Sequence, residues 1–373
     1  MIDHSIIAFI IFVLAVGLFM YRDRKNVKRE GIVFMRRTEK GKKSIDNSVK
    51  KHPTFWRIMG ITGLVIAIPA MIFISYFVVS NGITVLSGVK TETVKIVLPW
   101  TEQGSQPGVF FVPWYFWIIG IAAIIIPHEL FHGFMCRLHK IKIKSLGWFL
   151  LIVLPGAFVE PDKKSLDNAN LKAKLKVAAA GSFANIITAV IALAISFALI
   201  FTLFAPVGIS VGVIANNTYP AYNANMSGYI TDINNMQIRS TNDLVVAMDA
   251  VKPGDDVKII TNKGNYVIKT IENPDKPGKA FIGIVPRAPV NQPKEANTAP
   301  VVNFFSDLFM WIFILSLGIG LFNLLPIKPL DGGMMFEETL KSKIPKYSKH
   351  ITIAVSLILV AFIIISLVGP LLL

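Results

Sequence analysis

Long runs of apolar residues, separated by short polar segments, follow one another along most of this chain. A helix that crosses a bilayer needs about 20 consecutive apolar residues, and six segments approach or exceed that length. These segments are residues 5–21, 56–79, 114–138, 176–204, 304–326 and 350–371. The pattern predicts a polytopic α-helical membrane protein with about six spans.

Residues 205–300 depart from this pattern and predict an α+β domain inserted between spans four and five. Short β-rich runs such as "GISVGVI" and "NYVIKTI" alternate with turn residues such as "KPGD". Ser240 or Thr241 is a suitable N-cap for a short helix over 240–250. The chain thus divides into four parts, namely an N-terminal span with a basic loop (1–55), a first membrane part (56–204), the insert (205–300) and a second membrane part (301–373).

The stretch "LGWFLLIVLPGAF" (146–158) is apolar but too short to cross a bilayer, and Pro155-Gly156 interrupts it. Irregular backbone survives at membrane depth only where protein or a water-filled cavity satisfies its polar groups. We therefore predict a re-entrant hairpin or an interfacial segment here.

The charge distribution predicts the orientation of the spans. The chain is 53% hydrophobic with a formal net charge of +15; its basic residues flank apolar runs, which indicates membrane topology and argues against nucleic-acid binding. Residues 21–57 carry thirteen Lys/Arg against four Asp/Glu, so this loop is predicted to be cytoplasmic. Alternation then places 80–113, the insert and both termini outside, and 137–144 and 341–350 inside.

We expect the membrane to be a prokaryotic plasma membrane, because the sequence carries no eukaryotic targeting signal. The basic loop 21–57 is expected to anchor the topology and to attract anionic lipid headgroups of the bilayer.

The third predicted span contains "HELFH" (128–132). On a helix, His128 and His132 share one face, so both imidazoles can reach a single ion. Glu129 would lie beside that ion, where a carboxylate can act as a general base towards water. Each ionisable residue in a span costs about 2–3 kcal/mol at the bilayer centre, which argues against a purely structural role for three of them. The segment predicts a zinc hydrolase site that water reaches from the cytoplasm.

A catalytic zinc usually has three protein ligands and an open fourth position, so one ligand must come from elsewhere in the chain. We favour Asp331 in "LFNLLPIKPLDGG" (321–333), because spans three and five start on the same side and would bring it to the depth of His128. The prolines and glycines of this segment prevent a continuous helix and allow the carboxylate to turn inward.

Three other residues remain candidates for the third metal ligand. Glu160 and Asp162 follow the predicted hairpin, and Cys136 lies four residues beyond His132 on the same helix face. The competing interpretation of Asp331 itself is a turn residue in an Asp-Gly pair at the membrane surface.

Two segments, "HELFH" (128–132) and "NLLPIKPLDGG" (323–333), together resemble the site-2 protease family of intramembrane zinc metalloproteases. "VLPGAFVEPD" (153–162) and "AAAGSFANI" (178–186) are similar to two further segments of that family, and all four occur in the family's order.

The resemblance implies specific roles for site residues. His128, His132 and Asp331 would bind one Zn²⁺, and Glu129 would be the general acid/base. Asn185 and Asn323 match asparagines that contact the substrate backbone or the oxyanion, which an amide N–H can do by donating to developing negative charge. The competing interpretation of the two asparagines is hydrogen bonding between membrane helices.

The insert, over residues 205–290, resembles a PDZ domain, with "VGIS" (207–210) as a match for its carboxylate-binding loop. Such a domain would bind a peptide or a substrate ectodomain by adding a strand to a sheet edge. The alternative is a size filter or a packing lid without a ligand.

The function that these features predict is zinc-dependent cleavage of peptide bonds within the transmembrane segments of protein substrates. A CAAX-type membrane zinc protease is one alternative, but that family takes its third ligand from a downstream glutamate. A non-catalytic metal-binding scaffold would lack Glu129 or Asp331, and both are present. A metal transporter would need several polar ligands along a path through the bilayer.

Overall fold

The computed structural model describes residues 4–90, 94–100, 104–106, 108–151 and 154–372. Within them the helices are α1 (His4–Arg22), α2 (Lys42–Lys51), α3 (Pro53–Leu86), α4 (Trp114–Leu138), α5 (Lys163–Asp167), α6 (Leu171–Leu203), α7 (Pro220–Asn223), α8 (Thr241–Asp249), α9 (Ala299–Asn323), α10 (Asp331–Lys343) and α11 (Ser348–Leu372). The strands are β1 (Val27–Glu30), β2 (Val33–Thr38), β3 (Ile96–Trp100), β4 (Gly104–Gln106), β5 (Val109–Pro113), β6 (Ile143–Leu151), β7 (Leu154–Pro161), β8 (Phe204–Val213), β9 (Tyr229–Ile233), β10 (Met236–Gln237), β11 (Asp256–Thr261), β12 (Gly264–Lys269), β13 (Ile271–Asn273), β14 (Lys276–Phe281) and β15 (Ile284–Pro293).

Five helices in this part of the chain are long and apolar enough to cross a membrane, namely α3, α4, α6, α9 and α11. They overlap the second to sixth predicted spans and make the chain a multi-pass membrane protein. Large apolar side chains on them, including Ile72, Phe73 and Leu357, are exposed, as expected for surfaces that face lipid. Helix α1 covers the first predicted span, but its apolar stretch is shorter, so this first span stays a prediction.

Glycines allow the long helices to approach one another closely. A Cβ at Gly60 of α3 would lie 2.8 Å from the sulfur of Met135 in α4, and one at Gly82 of α3 would overlap the ring of Phe362 in α11. Small residues are typical of helix contacts in membranes, because they increase van der Waals contact between backbones. Helix α3 therefore packs against both α4, which carries the HELFH segment, and α11.

The apolar stretch 146–158 forms an antiparallel hairpin of β6 and β7, which confirms the predicted hairpin; residues 152–153 of it lie outside the described residues. Strand β2 pairs with β6 on the other side, and β1 pairs with β2. The sheet has the order β1-β2-β6-β7, so β7 is an edge strand among the described strands. The depth of this hairpin in the membrane stays a prediction.

The basic segment 21–57 has a structure that the sequence did not predict, because β1, β2 and α2 occupy most of it. An ion pair between Arg36 of β2 and Asp23 joins the strand to the end of α1. Ile45 of α2 is buried in the same apolar cluster as Met135 of α4. The segment therefore packs against α4, and its attraction to lipid headgroups stays a prediction.

Residues Ile195–Asp307 form a compact unit of their own. Its main sheet has the order β12-β11-β9-β8-β15, with β10 paired to β9, and β13 and β14 form a separate pair. Ser240 caps α8, and its side chain and that of Asp243 exchange hydrogen bonds with backbone amides in a capping box. The predicted short helix and its Ser240 N-cap are thus confirmed.

The segment "VGIS" (207–210), which the sequence suggests as a carboxylate-binding loop, lies within β8 instead. Strand β8 pairs with β15 on one side and β9 on the other, and Ile209 is fully buried in the core of the unit. Backbone groups that are committed to neighbouring strands cannot form a loop that binds a terminal carboxylate. The resemblance of the whole unit to a PDZ domain stays a prediction.

Candidate metal centre

The HELFH segment lies on α4, as its spacing predicts. His128 and His132 are one helical turn apart, and their Nε2 atoms are 3.2 Å from each other. The two rings lie edge to face, with centroids 4.8 Å apart. Only 11% of the side-chain surface of His128 and 14% of that of His132 is exposed, so both imidazoles point into the protein.

Asp331 joins these histidines from a distant part of the chain. It is the first residue of α10, and its Oδ2 lies 3.4 Å from His128 Nε2 while its Oδ1 lies 3.5 Å from His132 Nε2. The next two residues explain the close approach. A Cβ at Gly332 would overlap the backbone of Leu324, and one at Gly333 would overlap the backbone after α9. Only glycine lets α10 begin this close to the preceding loop.

The three side chains fit a metal ion. One ligand atom from each of His128, His132 and Asp331 lies within 4.8 Å of the others. The Nδ1 atom of His128 is buried without a hydrogen bond to the described residues, and coordination through Nε2 would turn it into a donor. Two imidazoles and one carboxylate match the ligand set of a catalytic zinc site with an open fourth position.

Helix α6 lies directly against this group. The carbonyl of Val177 accepts a hydrogen bond of 2.7 Å from His132 Nδ1, which leaves Nε2 of that ring available to bind a metal. A Cβ at Gly181 would lie 2.5 Å from Nε2 of His128 and closer still to Nε2 of His132. The glycine is thus required for the approach of α6 to both rings.

Glu129 lies on the same helix but faces the hairpin. Its Oε2 accepts a hydrogen bond of 2.8 Å from the backbone N–H of Val159 in β7. It does not belong to the group of ligand atoms formed by the two histidines and Asp331. This position, beside the ligands but not among them, is the one expected of a general base.

The two asparagines lie in different surroundings. Asn185 of α6 is fully buried beside His128, and its amide makes no hydrogen bond of regular geometry with the described residues. Asn323 is the last residue of α9 and is half-buried. The structure brings Asn185 to His128, whereas Asn323 has no described contact with the two histidines or Asp331.

The alternative third ligands have other partners. Glu160 accepts hydrogen bonds from Lys144 and Ser145. Asp162 caps α5 by accepting from the backbone N–H of Ser165. Cys136 is buried in an apolar cluster. In the part of the chain that the structure describes, the group around the paired histidines includes Asp331 and none of these three.

Two backbone groups at the site could not be predicted from the sequence. The N–H of Val159 and the C=O of Val177 bind Glu129 and His132, and backbone groups have no signature in a sequence. Gly181 does carry a signal in the sequence. A glycine among alanines in an apolar helix costs about 1 kcal/mol relative to alanine, which indicates a close approach at that position.

Comparisons with known proteins agree with this geometry. The sequence profile of peptidase family M50 matches residues 116–366, which include the HELFH segment of α4, α6, the insert and α10. An uncharacterized protein of Methanocaldococcus jannaschii is 30% identical over 352 residues, which cover 91% of this chain and 86% of that protein. The chain therefore belongs to peptidase family M50, the site-2 protease family of zinc metalloproteases.

Proposed function

We propose that this protein is a zinc-dependent endopeptidase that cleaves the transmembrane segments of membrane-protein substrates. One observation carries the proposal. His128 and His132 of α4 meet Asp331 of α10 within 4.8 Å, and Glu129 lies beside them on the same apolar helix. A hydrolytic site built into membrane-spanning helices has access to peptide bonds that soluble proteases cannot reach.

His128 Nε2, His132 Nε2 and one carboxylate oxygen of Asp331 would hold the ion. When bound, Zn²⁺ polarises a peptide carbonyl and lowers the pKa of water. Glu129 takes a proton from the attacking water and delivers it to the leaving amine. Because Val159 N–H holds Glu129 Oε2, we assign the proton transfer to Oε1.

The edge of β7 is the proposed binding place for the substrate backbone. A helical substrate hides its carbonyls in hydrogen bonds, so the segment to be cut must first become extended. Val159 N–H points away from β6, because it binds Glu129. Residues two apart in a strand present the same edge, so Ala157 offers its backbone groups there as well. A substrate strand paired with Ala157 would pass next to Glu129.

A cavity beside this edge is suited to an apolar substrate side chain. Its volume is about 170 Å³, and it lies between α4 and the hairpin. Apolar residues of α4 and Trp148, Gly156 and Ala157 of the hairpin line it. Transmembrane segments supply such side chains, so this cavity supports a membrane-embedded substrate.

The proposed orientation places the site towards the cytoplasm and the inserted unit outside a prokaryotic plasma membrane. The basic loops at 21–57, 137–144 and 341–350 support it, because Lys and Arg favour cytoplasmic loops. The site then lies in a polar pocket of the protein that water enters from the cell interior.

For the inserted unit we propose a PDZ-like fold that binds a peptide or the ectodomain of a substrate. Strand β15 is an edge strand of its main sheet among the described strands, and a peptide binds to such an edge by strand addition. This role is independent of the metal site and would select substrates rather than cleave them.

The decisive experiment compares the full-length protein with Glu129→Gln after co-reconstitution into liposomes with tagged single-span membrane proteins. Mass spectrometry of the fragments locates each cut. We expect zinc-dependent cuts within spans for the wild type and no cuts for Glu129→Gln, which retains zinc. Cuts that persist in Glu129→Gln, or that fall only in water-exposed segments, would disprove the proposed function.

A further inference from the structure

Each of the three ligand side chains has a neighbour on one helix, α6. Val177, Gly181 and Asn185 are spaced by four residues, and Ser182 adjoins them, so all four lie on one side of that helix. We propose that this face of α6 positions the complete ligand set, and that Ser182 is the positioning residue for Asp331. The inference rests on the proposed metal site and assigns residues that hold its geometry.

Ser182 is connected to Asp331 across the protein. Its Oγ donates a hydrogen bond of 3.2 Å to Asp331 Oδ2, the same oxygen that faces His128 Nε2. Serine and threonine in helices often bond to a carbonyl of the preceding turn, as Thr188 of α6 does with Ala184. Ser182 instead directs its hydroxyl to a residue 149 positions away.

The hydrogen bond between Ser182 and Asp331 is shielded from water. Its exposed fraction is 0%, and only 13% of the Asp331 side chain is exposed. Water therefore has little room to replace the hydroxyl if it is removed. With Oδ2 held by Ser182, the carboxylate can rotate less, and its two oxygens stay directed at the two imidazoles.

Val177 and Asn185 position the two histidines, as Ser182 positions Asp331. The Val177 carbonyl fixes His132 through Nδ1 at 2.7 Å. Asn185 lies beside His128, and both its amide and His128 Nδ1 are buried without a regular hydrogen bond to the described residues. Coordination of His128 through Nε2 makes Nδ1–H a donor, and the Asn185 side chain and the Gly181 backbone are the neighbouring groups that can accept from the ring.

Helix α9 keeps Asn185 in place from the other side. Ser316 donates a hydrogen bond of 2.8 Å to the backbone carbonyl of Asn185. A Cβ at Gly320 would lie 2.9 Å from the Cβ of Asn185, so the two helices touch at this point. The backbone and Cβ of Asn185 are thus held at the contact between α6 and α9.

The first test measures the zinc affinity of the purified full-length protein by competition with a chelator. Loss of such a supporting hydrogen bond costs about 10–100-fold in metal affinity, and we expect that loss for Ser182→Ala. Ser196→Ala is the matched control, because Ser196 is also fully buried in α6 but its hydroxyl makes no hydrogen bond to the described residues. We expect the affinity of this control to stay within about threefold of wild type.

A second readout separates positioning from general damage to the fold. With Co²⁺ in place of Zn²⁺, the visible absorption bands report the ligand geometry. They should change in Ser182→Ala and not in Ser196→Ala, while both variants keep the thermal midpoint of the metal-free wild type. Wild-type affinity and an unchanged cobalt spectrum in Ser182→Ala would overturn the proposal. Absence of zinc binding in the wild type would instead refute the proposed function itself.

The Asn185 assignment has its own test. Asn185→Ala should lower zinc affinity by about 10-fold, whereas Thr188→Ala, one turn further along α6, should not. If Asn185→Ala binds zinc like wild type but turns over substrate more slowly, the residue contacts substrate and does not position His128.

Discussion

The backbone N–H of Val159 in β7 holds the side chain of Glu129 in α4 through a hydrogen bond of 2.8 Å. The carboxylate that is proposed to move protons is therefore fixed by the strand that is proposed to bind substrate. A substrate that pairs with β7 would approach Glu129 in a defined position, which is how oriented binding lowers a reaction barrier.

The hydrogen bond from Val159 predicts that the side-chain length of Glu129 matters for catalysis as much as its charge. Glu129→Asp keeps the carboxylate but withdraws it by about 1.5 Å, so the bond to Val159 is lost. A misplacement of about 1 Å can cost about 100-fold in rate, and we expect that loss in kcat with zinc content unchanged. Glu295→Asp, an equivalent change at an exposed residue of the inserted unit, is the control. Wild-type turnover by Glu129→Asp would show that Val159 has no role in positioning.

The contact of Gly181 with both histidines predicts a strong effect of a single methyl group. Gly181→Ala places a Cβ against the Nε2 atoms of His128 and His132, which are the proposed ligand atoms. We expect zinc affinity to fall by more than about 10-fold. Gly318→Ala is the matched control, because a Cβ at Gly318 of α9 meets no described atom within 4 Å. Equal zinc affinity in the two variants would contradict the close approach of α6.

An ion pair connects α6 to α10, the helix that carries Asp331. Lys174 Nζ of α6 lies 3.0 Å from Glu338 Oε2 of α10, and the two side chains are 18% and 21% exposed. A double-mutant cycle of Lys174→Met and Glu338→Gln should give a coupling of about 1 kcal/mol in denaturant titrations in mild detergent. The pair Lys279–Asp249, which is about half exposed, should give less. No coupling at Lys174 would mean that the pair does not link the two helices.

The hairpin should loosen at low pH because of Glu160. Hydrogen bonds from Lys144 and Ser145 lower the pKa of Glu160 below its usual value. A carboxyl with a lowered pKa in the folded state stabilises the fold above its unfolded pKa of about 4.3, and this contribution is lost as the pH falls through the folded value. Solvent screening limits it to about 1 kcal/mol or less.

Hydrogen exchange of the β6 and β7 amides, corrected for intrinsic rates, measures this effect. Protection should fall by a factor of about 3 to 5 between pH 6 and pH 3. In Glu160→Gln, protection should already be lower at pH 6 and change less over this range. Equal pH dependence in both proteins would assign the effect to another carboxyl group, such as Glu30 in its ion pair with Arg37.

The sequence predicted the parts of this protein that periodicity and spacing determine. Apolar length located the five long helices, and the spacing of His128 and His132 fixed their shared face. The pairing of β2 with β6 was missed because Val33 and Leu151 are far apart in the chain, and no local pattern specifies such a contact. "VGIS" (207–210) was wrong as a loop for the same reason, since its strand partners lie elsewhere.

The central claim is that Asp331 completes one zinc site with His128 and His132. Metal analysis of the purified full-length protein and of Asp331→Ala tests it most directly. The account predicts about one zinc per wild-type chain and a large loss of zinc from Asp331→Ala, since a catalytic site has three protein ligands. Full retention of zinc by Asp331→Ala would contradict it.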